Sequence, residues 1–377
     1  MPRRDPPATP RSLSRRRFLQ LGATAGWSAG ALAILQACSS PQPGAAPPAS
    51  APGSSGAPAQ SQAAAKAASP SLLKVKYAVA RGGLGDWGSF VGLEKNFFEA
   101  EGVDLEHILL GSPTDVATGI LSGQIDCGII SIPTAIAWAQ QGQPGKLFCA
   151  TQMATPQGKY NNWWCSPAGS PVRQPADARG KKIHILVPNS IAQMVTRTVL
   201  RKHGLQPGDY EEVSFPFPDT YTAIKTGRAD IGLFIEPFYT NGNKLSRDEN
   251  AGREMQVVYT MLDAFPTGIH LAAIGVNTNW LAQNLEAGRR FVRAQLRAAE
   301  WGENNPDELK QIIAKYAEVP YDNIKDMIPA QMSTDGKFLP GFLRQLQDYM
   351  IVEKTVGGLT EPIADDRIVA AGVLPTG

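Results

Sequence analysis

A ten-residue pattern occurs twice in this chain, 104 positions apart, and any fold must accommodate both copies. Gly119-Ile120-Leu121-Ser122-Gly123-Gln124-Ile125-Asp126-Cys127-Gly128 aligns with Ala223-Ile224-Lys225-Thr226-Gly227-Arg228-Ala229-Asp230-Ile231-Gly232. In the first copy the local chemistry reads as helix, stop and strand. Ser112 suits an N-cap, Pro113 the first helical position and Asp115 the capping-box position. Val116 and Ile120 share a helix face at four-residue spacing. Gly123 follows, where a left-handed backbone is cheapest for glycine. Asp126 then opens the apolar run Cys127–Ile132, short enough for a strand covered on both faces. The second copy follows its own proline-containing turn, Pro216-Phe217-Pro218. Two α/β units of one build imply two lobes, with a ligand at the carboxyl ends of their strands.

The formal charge of +2 conceals an uneven distribution. Arg3, Arg4, Arg11, Arg15, Arg16 and Arg17 precede residue 38, opposed only by Asp5; without that segment 30 basic residues face 33 acidic ones, a net −3. Such a body offers nucleic acid no electrostatic attraction. Ser14-Arg15-Arg16-Arg17-Phe18-Leu19 resembles a twin-arginine export signal. The apolar segment behind it, Leu21–Leu35, is shorter than the roughly 20 residues of a membrane span. Leu35-Gln36-Ala37-Cys38 resembles a lipobox, which implies cleavage before Cys38 and acylation of its sulfur, an anchor in the membrane. Pro41–Ser71 carries one charge, Lys66, and no apolar periodicity, and reads as a flexible tether. Gly26-Trp27-Ser28-Ala29-Gly30 matches a nucleophile elbow, but lies in the signal segment with no strand before it.

Beyond the tether, Leu73–Ala80 reads as a strand and Gly82–Gly88 contains G-x-G-x-x-G. An exported protein meets little dinucleotide, so this is read as a glycine-rich turn presenting Gly85, Asp86 and Trp87 to a cleft. Phe90, Leu93 and Phe97 space out a helix. Gly92-Leu93-Glu94-Lys95-Asn96-Phe97-Phe98-Glu99-Ala100-Glu101-Gly102-Val103 resembles the opening of the solute-binding proteins for alkanesulfonates, taurine, nitrate and the pyrimidine precursor of thiamine, with Asn96 where that family has glycine. Leu121–Asp126 and its repeat match the family's L-x-x-G-x-x-D. Ala178–Ile183, Glu236-Pro237 and Trp301 with Asn305-Pro306 are similar to further family phrases. The resemblance spans about residues 74 to 310.

It implies an α/β fold of the type II periplasmic-binding-protein kind: two lobes, each a mostly parallel sheet flanked by helices, joined by two hinge crossings. The expected division is 1–37 signal peptide, 38–71 tether, 72–166 first lobe, 167–267 second lobe, and 268–377 a return to the first lobe with C-terminal helices that contribute little to the site. The implied role is a monomeric, lipid-anchored binding component of an ABC importer, partnered by a permease and an ATPase, with no cofactor, metal or nucleic acid. The rival reading is an exported enzyme on the same scaffold, a hydrolase or pyrimidine-forming synthase; the cysteine-rich motif of the pyrimidine-forming relative is absent.

Site candidates follow from predicted strand ends. The first lobe offers Gly85, Asp86, Trp87, Ser112, Ser131 and Thr134; the second offers Asn189, Ser190, Phe217, Asp219 and Glu236. Asn189 or Ser190 also suits a helix cap. Trp163 and Trp164 suit either a cleft wall or lobe packing. Arg81 is the one arginine placed for an anion, whereas Asp86, Asp219 and Glu236 with Trp87, Phe217 and Tyr221 favour a neutral or cationic heterocycle. His107, His184, His203 and His270 have no metal-ligand spacing. Cys127 and Cys149 permit a disulfide, or, with Cys165, serve as small buried hydrophobes.

Overall fold

The computed structural model describes residues 72–81, 86–158, 162–355 and 359–375; the signal, lipobox, tether and Gly85 lie outside them. The strands are β1 (Leu73–Ala80), β2 (Val103–Leu110), β3 (Cys127–Ile130), β4 (Gly145–Ala150), β5 (Gln152–Ala154), β6 (Trp163–Ser166), β7 (Lys182–His184), β8 (Glu211–Val213), β9 (Gly232–Phe234), β10 (Gln256–Thr260), β11 (Ile269–His270), β12 (Ala273–Asn277) and β13 (Gln331–Met332). The first seven helices are α1 (Trp87–Glu94), α2 (Phe97–Ala100), α3 (Pro113–Ser122), α4 (Ile132–Gln141), α5 (Ile191–Lys202), α6 (Thr220–Lys225) and α7 (Phe238–Glu249).

One sheet has the order β2-β1-β3-β12-β4. The first three strands run parallel and β12 runs antiparallel to both its neighbours. The second assembly repeats this order. β8 pairs parallel with β7, Ile183 bridges in parallel to Ile231 just before β9, and β9-β6-β10 continue antiparallel. Each sheet is therefore mostly parallel, four of its five strands running one way, and the strand that comes in from the other sheet, β12 or β6, is the reversed one. The small sheet β11-β5-β13 lies where the chain passes between them.

The sequence repeat is a structural repeat. Gly123 and Gly227 both end their helices with φ near +75° (74° and 76°). The Asp126 carboxylate accepts the Lys76 amide at 2.8 Å, and Asp230 accepts the Lys182 amide at 2.8 Å. Each aspartate thus ties its strand to the neighbouring one. Gly128 and Gly232 let the helix lie close: a Cβ on Gly128 would sit 2.8 Å from Val116, and one on Gly232 would sit 2.6 Å from Thr220. Val116 and Thr220 occupy equivalent positions in the two copies.

Two apolar runs that read as single strands are divided. The run Lys146–Ala154 breaks at Thr151, and Ile269–Asn277 breaks after His270, since these segments change sheet there. Trp163 and Trp164 form β6 and pack rather than face ligand. Trp164 is fully buried against Tyr259, and Trp163 stacks on Tyr239. Cys127, Cys149 and Cys165 are free and buried, and burial raises each thiol's pKa. The helix Phe342–Glu353 packs on α5 as well as α4, so the C-terminal helices do more than close the first sheet.

Candidate functional site

The carboxyl ends of both sheets open onto one cleft. Ala80 ends β1, and Ile129, Ile130 and Ser131 come from the end of β3. Leu233 and Ile235 from the end of β9, Leu186 and Val187 after β7, and Phe217 before α6 supply the facing wall. The chamber has a volume of about 120 Å³. A smaller one of about 90 Å³ shares Ala80, Pro113, Leu186, Val187 and Phe217 with it, and adds Arg81, Ser112 and Phe215. The larger chamber is mainly apolar; its polar side chains are Ser131, Gln152, Asn162 and Ser190. Among the described residues, none that lines it is charged.

Two helices begin at this cleft. Ser131 stands at the N-cap of α4 but makes no capping bond; its Oγ instead accepts the Ile191 amide of α5, at 3.3 Å, across the cleft. Ser190 caps α5: its Oγ accepts the Gln193 amide at 3.2 Å and donates to the Ile185 carbonyl at 2.9 Å. That hydroxyl is committed to the helix, so Ser190 shapes the wall more than it offers a ligand contact.

Of the residues expected at the site, Ser131, Ser190 and Phe217 meet at the larger chamber and Ser112 at the smaller one. The other described candidates line neither. Asp86 is fully buried in the first sheet's core, where Tyr77 Oη and Gln295 Nε2 donate to its carboxylate. Burial without a cation pushes it up to about 6. Trp87 packs over Gly302 and donates to the Ala330 carbonyl at 2.8 Å. Thr134 lies in the first turn of α4, its amide donating to the Ser131 carbonyl at 3.0 Å. Asn189 is exposed at φ 59°, and its amide donates to Gln193 Oε1 at 2.8 Å. Asp219 is exposed ahead of α6. Tyr221 donates to Glu249 instead.

Glu236 is buried beside the cleft, with its carboxylate turned to the first turn of α7. It accepts Thr240 Oγ1 at 2.7 Å and the Thr240 amide at 3.2 Å. Burial pushes it up to about 7. Gln152, Asn162, Met261 and Leu271, which line the cavity, lie at the start of β5, just before β6, just after β10 and just after β11. Their sequence signal was slight: Thr151-Gln152 is a polar pair inside an apolar run. His184 lies 2.8 Å from the Phe215 carbonyl and stacks on that ring, and burial pushes it down to about 4. His270 Nε2 accepts the Leu339 amide at 2.9 Å and is likewise down to about 4. Both are neutral structural imidazoles. Among the described residues no group of three or more His, Cys, Asp or Glu is arranged to hold a metal.

The NMT1/THI5 like family model matches residues 87–309, more than half of the 377. The chain belongs to the NMT1/THI5-like family. No curated protein matches it in sequence. In structure this NMT1/THI5-like chain is similar to the alkanesulfonate-binding protein SsuA from Xanthomonas axonopodis pv. citri bound to MOPS, at 14% identity and TM-score 0.62, over 78% of this chain and 96% of that one. It is also similar to the periplasmic nitrate-binding protein NrtA from Synechocystis PCC 6803, at 17% identity and TM-score 0.56, over 68% and 69%. The desulfurization enzyme DSZB is a third, at 14% identity and TM-score 0.56, over 79% and 96%. The NMT1/THI5-like chain thus has the periplasmic-binding-protein fold.

Proposed function

We propose that this NMT1/THI5-like chain is the extracytoplasmic solute-binding component of an ABC importer. The twin-arginine segment exports it, Cys38 carries the lipid anchor, and residues 38–71 tether a monomeric clamp whose two lobes, 72–166 with 268–377 and 167–267, close over a small solute. A permease and an ATPase receive that solute. The observation that carries the reading is the cleft at the carboxyl ends of both sheets, spanned by the Ser131–Ile191 hydrogen bond. Closure of this kind requires a ligand that touches both walls.

The solute is compact and uncharged. A cavity of about 120 Å³ is near the roughly 150 Å³ that admits one benzene-sized ring. Among the described residues, its lining offers hydroxyl and amide groups but no counter-charge. A neutral heterocycle therefore fits better than a sulfonate or nitrate. It also fits better than a cation, since Asp86, Asp219 and Glu236 do not reach the cavity. The likeness to DSZB keeps an enzyme reading in view. Binding without turnover is favoured because, among the described residues, no titratable side chain lines the larger chamber to serve as acid or base. A thermal-shift panel of neutral heterocycles, cationic amines, alkanesulfonates and nitrate tests the reading. Stabilisation by a neutral ring supports it; stabilisation by sulfonate or nitrate alone, or product release from a bound compound, refutes it.

A further inference from the structure

We propose that the helix Phe342–Glu353 is a strap that holds the cleft closed before ligand arrives, through the grip of the α5 arginines on its C-terminal end. The last carbonyls of a helix have no partners within it and favour cations nearby. Here α5 supplies them. Arg201 Nη2 donates to the Val352 carbonyl at 3.0 Å and to Glu353 Oε2 at 2.6 Å. Thr198 Oγ1 donates to Glu353 Oε1 at 3.2 Å, and Arg197 Nη1 reaches the Glu353 carbonyl at 3.4 Å. Glu212 holds Arg197 in place through both Nε and Nη2, at 2.8 and 2.9 Å. The Glu353 side chain is only 3% exposed while Arg201 is 37% exposed, so a buried carboxylate is met by a cation that reaches in from the surface.

The strap touches both helices that begin at the cleft. It packs against α4, which starts beside Ser131, and against α5, which starts beside Ser190. Ser131 and Ile191 are the residues that bond across the cleft. Arg201 is ten residues beyond Ile191, about 15 Å along the helix axis. Further up the strap, Tyr349 Oη donates to the Ala264 carbonyl at 3.3 Å and Phe342 packs edge-on to His270, both in or beside the second connection between sheets. A rigid α5 gripped at its far end is thereby held with its N-terminus against Ser131. Such bias toward the closed arrangement lowers the cost of closure that a ligand must supply.

Hydrogen exchange on the full chain, without ligand, tests this. In Glu353→Gln and Arg201→Lys, amides in 131–134 and 186–192 should exchange about fivefold or more faster, while the strands 75–79 and 127–130 keep their rates. Arg201→Lys leaves the buried carboxylate paired, and so remains informative should Glu353→Gln fold poorly. Acceleration confined to 197–203 and 342–355, or spread evenly through the sheets, would overturn the strap. The inference rests on the closing-cleft reading, but its readout needs no solute, so its failure stays separate from that of the compound panel.

Discussion

Replacing Asp86 by asparagine should remove the loss of stability that this carboxyl causes as pH rises from about 4 through about 6. The carboxyl is fully buried and no cation faces it; Tyr77 and Gln295 are neutral donors. Its folded pKa is about 6 against an ordinary 3.8. The unfolded chain therefore releases this proton more readily. The native state is favoured below pH 3.8, and that advantage falls away as pH rises through about 6. Linkage over these values gives a loss of about 1.4 kcal/mol between pH 5 and pH 8. For a protein of this size that corresponds to roughly 2–4 °C in Tm. Asparagine keeps the shape and an acceptor for Tyr77. Gln295 Oε1, which has no hydrogen-bond partner, can turn to accept its amide. The assay is thermal unfolding of wild type and D86N at pH 5 and pH 8. The wild-type-minus-variant difference should shift against wild type by about 1.4 kcal/mol across that range. A difference that is flat with pH, or that moves in wild type's favour, would show that Asp86 is not a buried, raised carboxyl.

Glu236 should behave alike about a higher pH. Its stabilising contribution declines as pH passes about 7, and E236Q should flatten that limb in the same unfolding series. Gly232→Ala should destabilise by about 1–3 kcal/mol in urea, since the new methyl meets Thr220 and Ile224 at 2.6 and 2.7 Å. Asp230→Ala should cost about 1 kcal/mol by removing the acceptor for the Lys182 amide. Cys127, Cys149 and Cys165, free and buried, should resist thiol reagents in the native protein and label together on unfolding, as mass spectrometry would reveal.

The repeated unit was legible because its chemistry is local. A helix that stops and turns into a strand needs a residue at ease with positive φ, and Gly123 and Gly227 stand there. The role of the paired aspartates was not legible. Asp126 and Asp230 bond to amides 50 and 48 residues away, which no local pattern specifies. Strand direction was also hidden: Trp163 and Trp164 gave no strand signal, β12 lies in an ordinary apolar run, and only the connections that bring β6 and β12 in make them antiparallel. Half of the cleft followed the same logic. Ser131, Ser190 and Phe217 sit at strand ends and reach it, because strand ends converge there. Asp86 and Glu236 sit at comparable positions but turn inward, toward Tyr77 with Gln295 and toward Thr240. Which way a side chain turns at a strand end depends on partners distant in sequence. Gln152 and Asn162 stand at the amino ends of β5 and β6, so a search of carboxyl strand ends passes over them, and Met261, just after β10, was missed because that strand had not been read from the sequence.

Calorimetric titration of a neutral ring compound from the panel into wild type and Ala272→Leu tests the central claim most directly. Ala272 lines the chamber, and three added carbons would occupy much of its roughly 120 Å³. The account predicts one site per chain in wild type and affinity at least about tenfold weaker in the variant, about 1.4 kcal/mol. Unchanged affinity in Ala272→Leu would place the solute elsewhere and contradict the account.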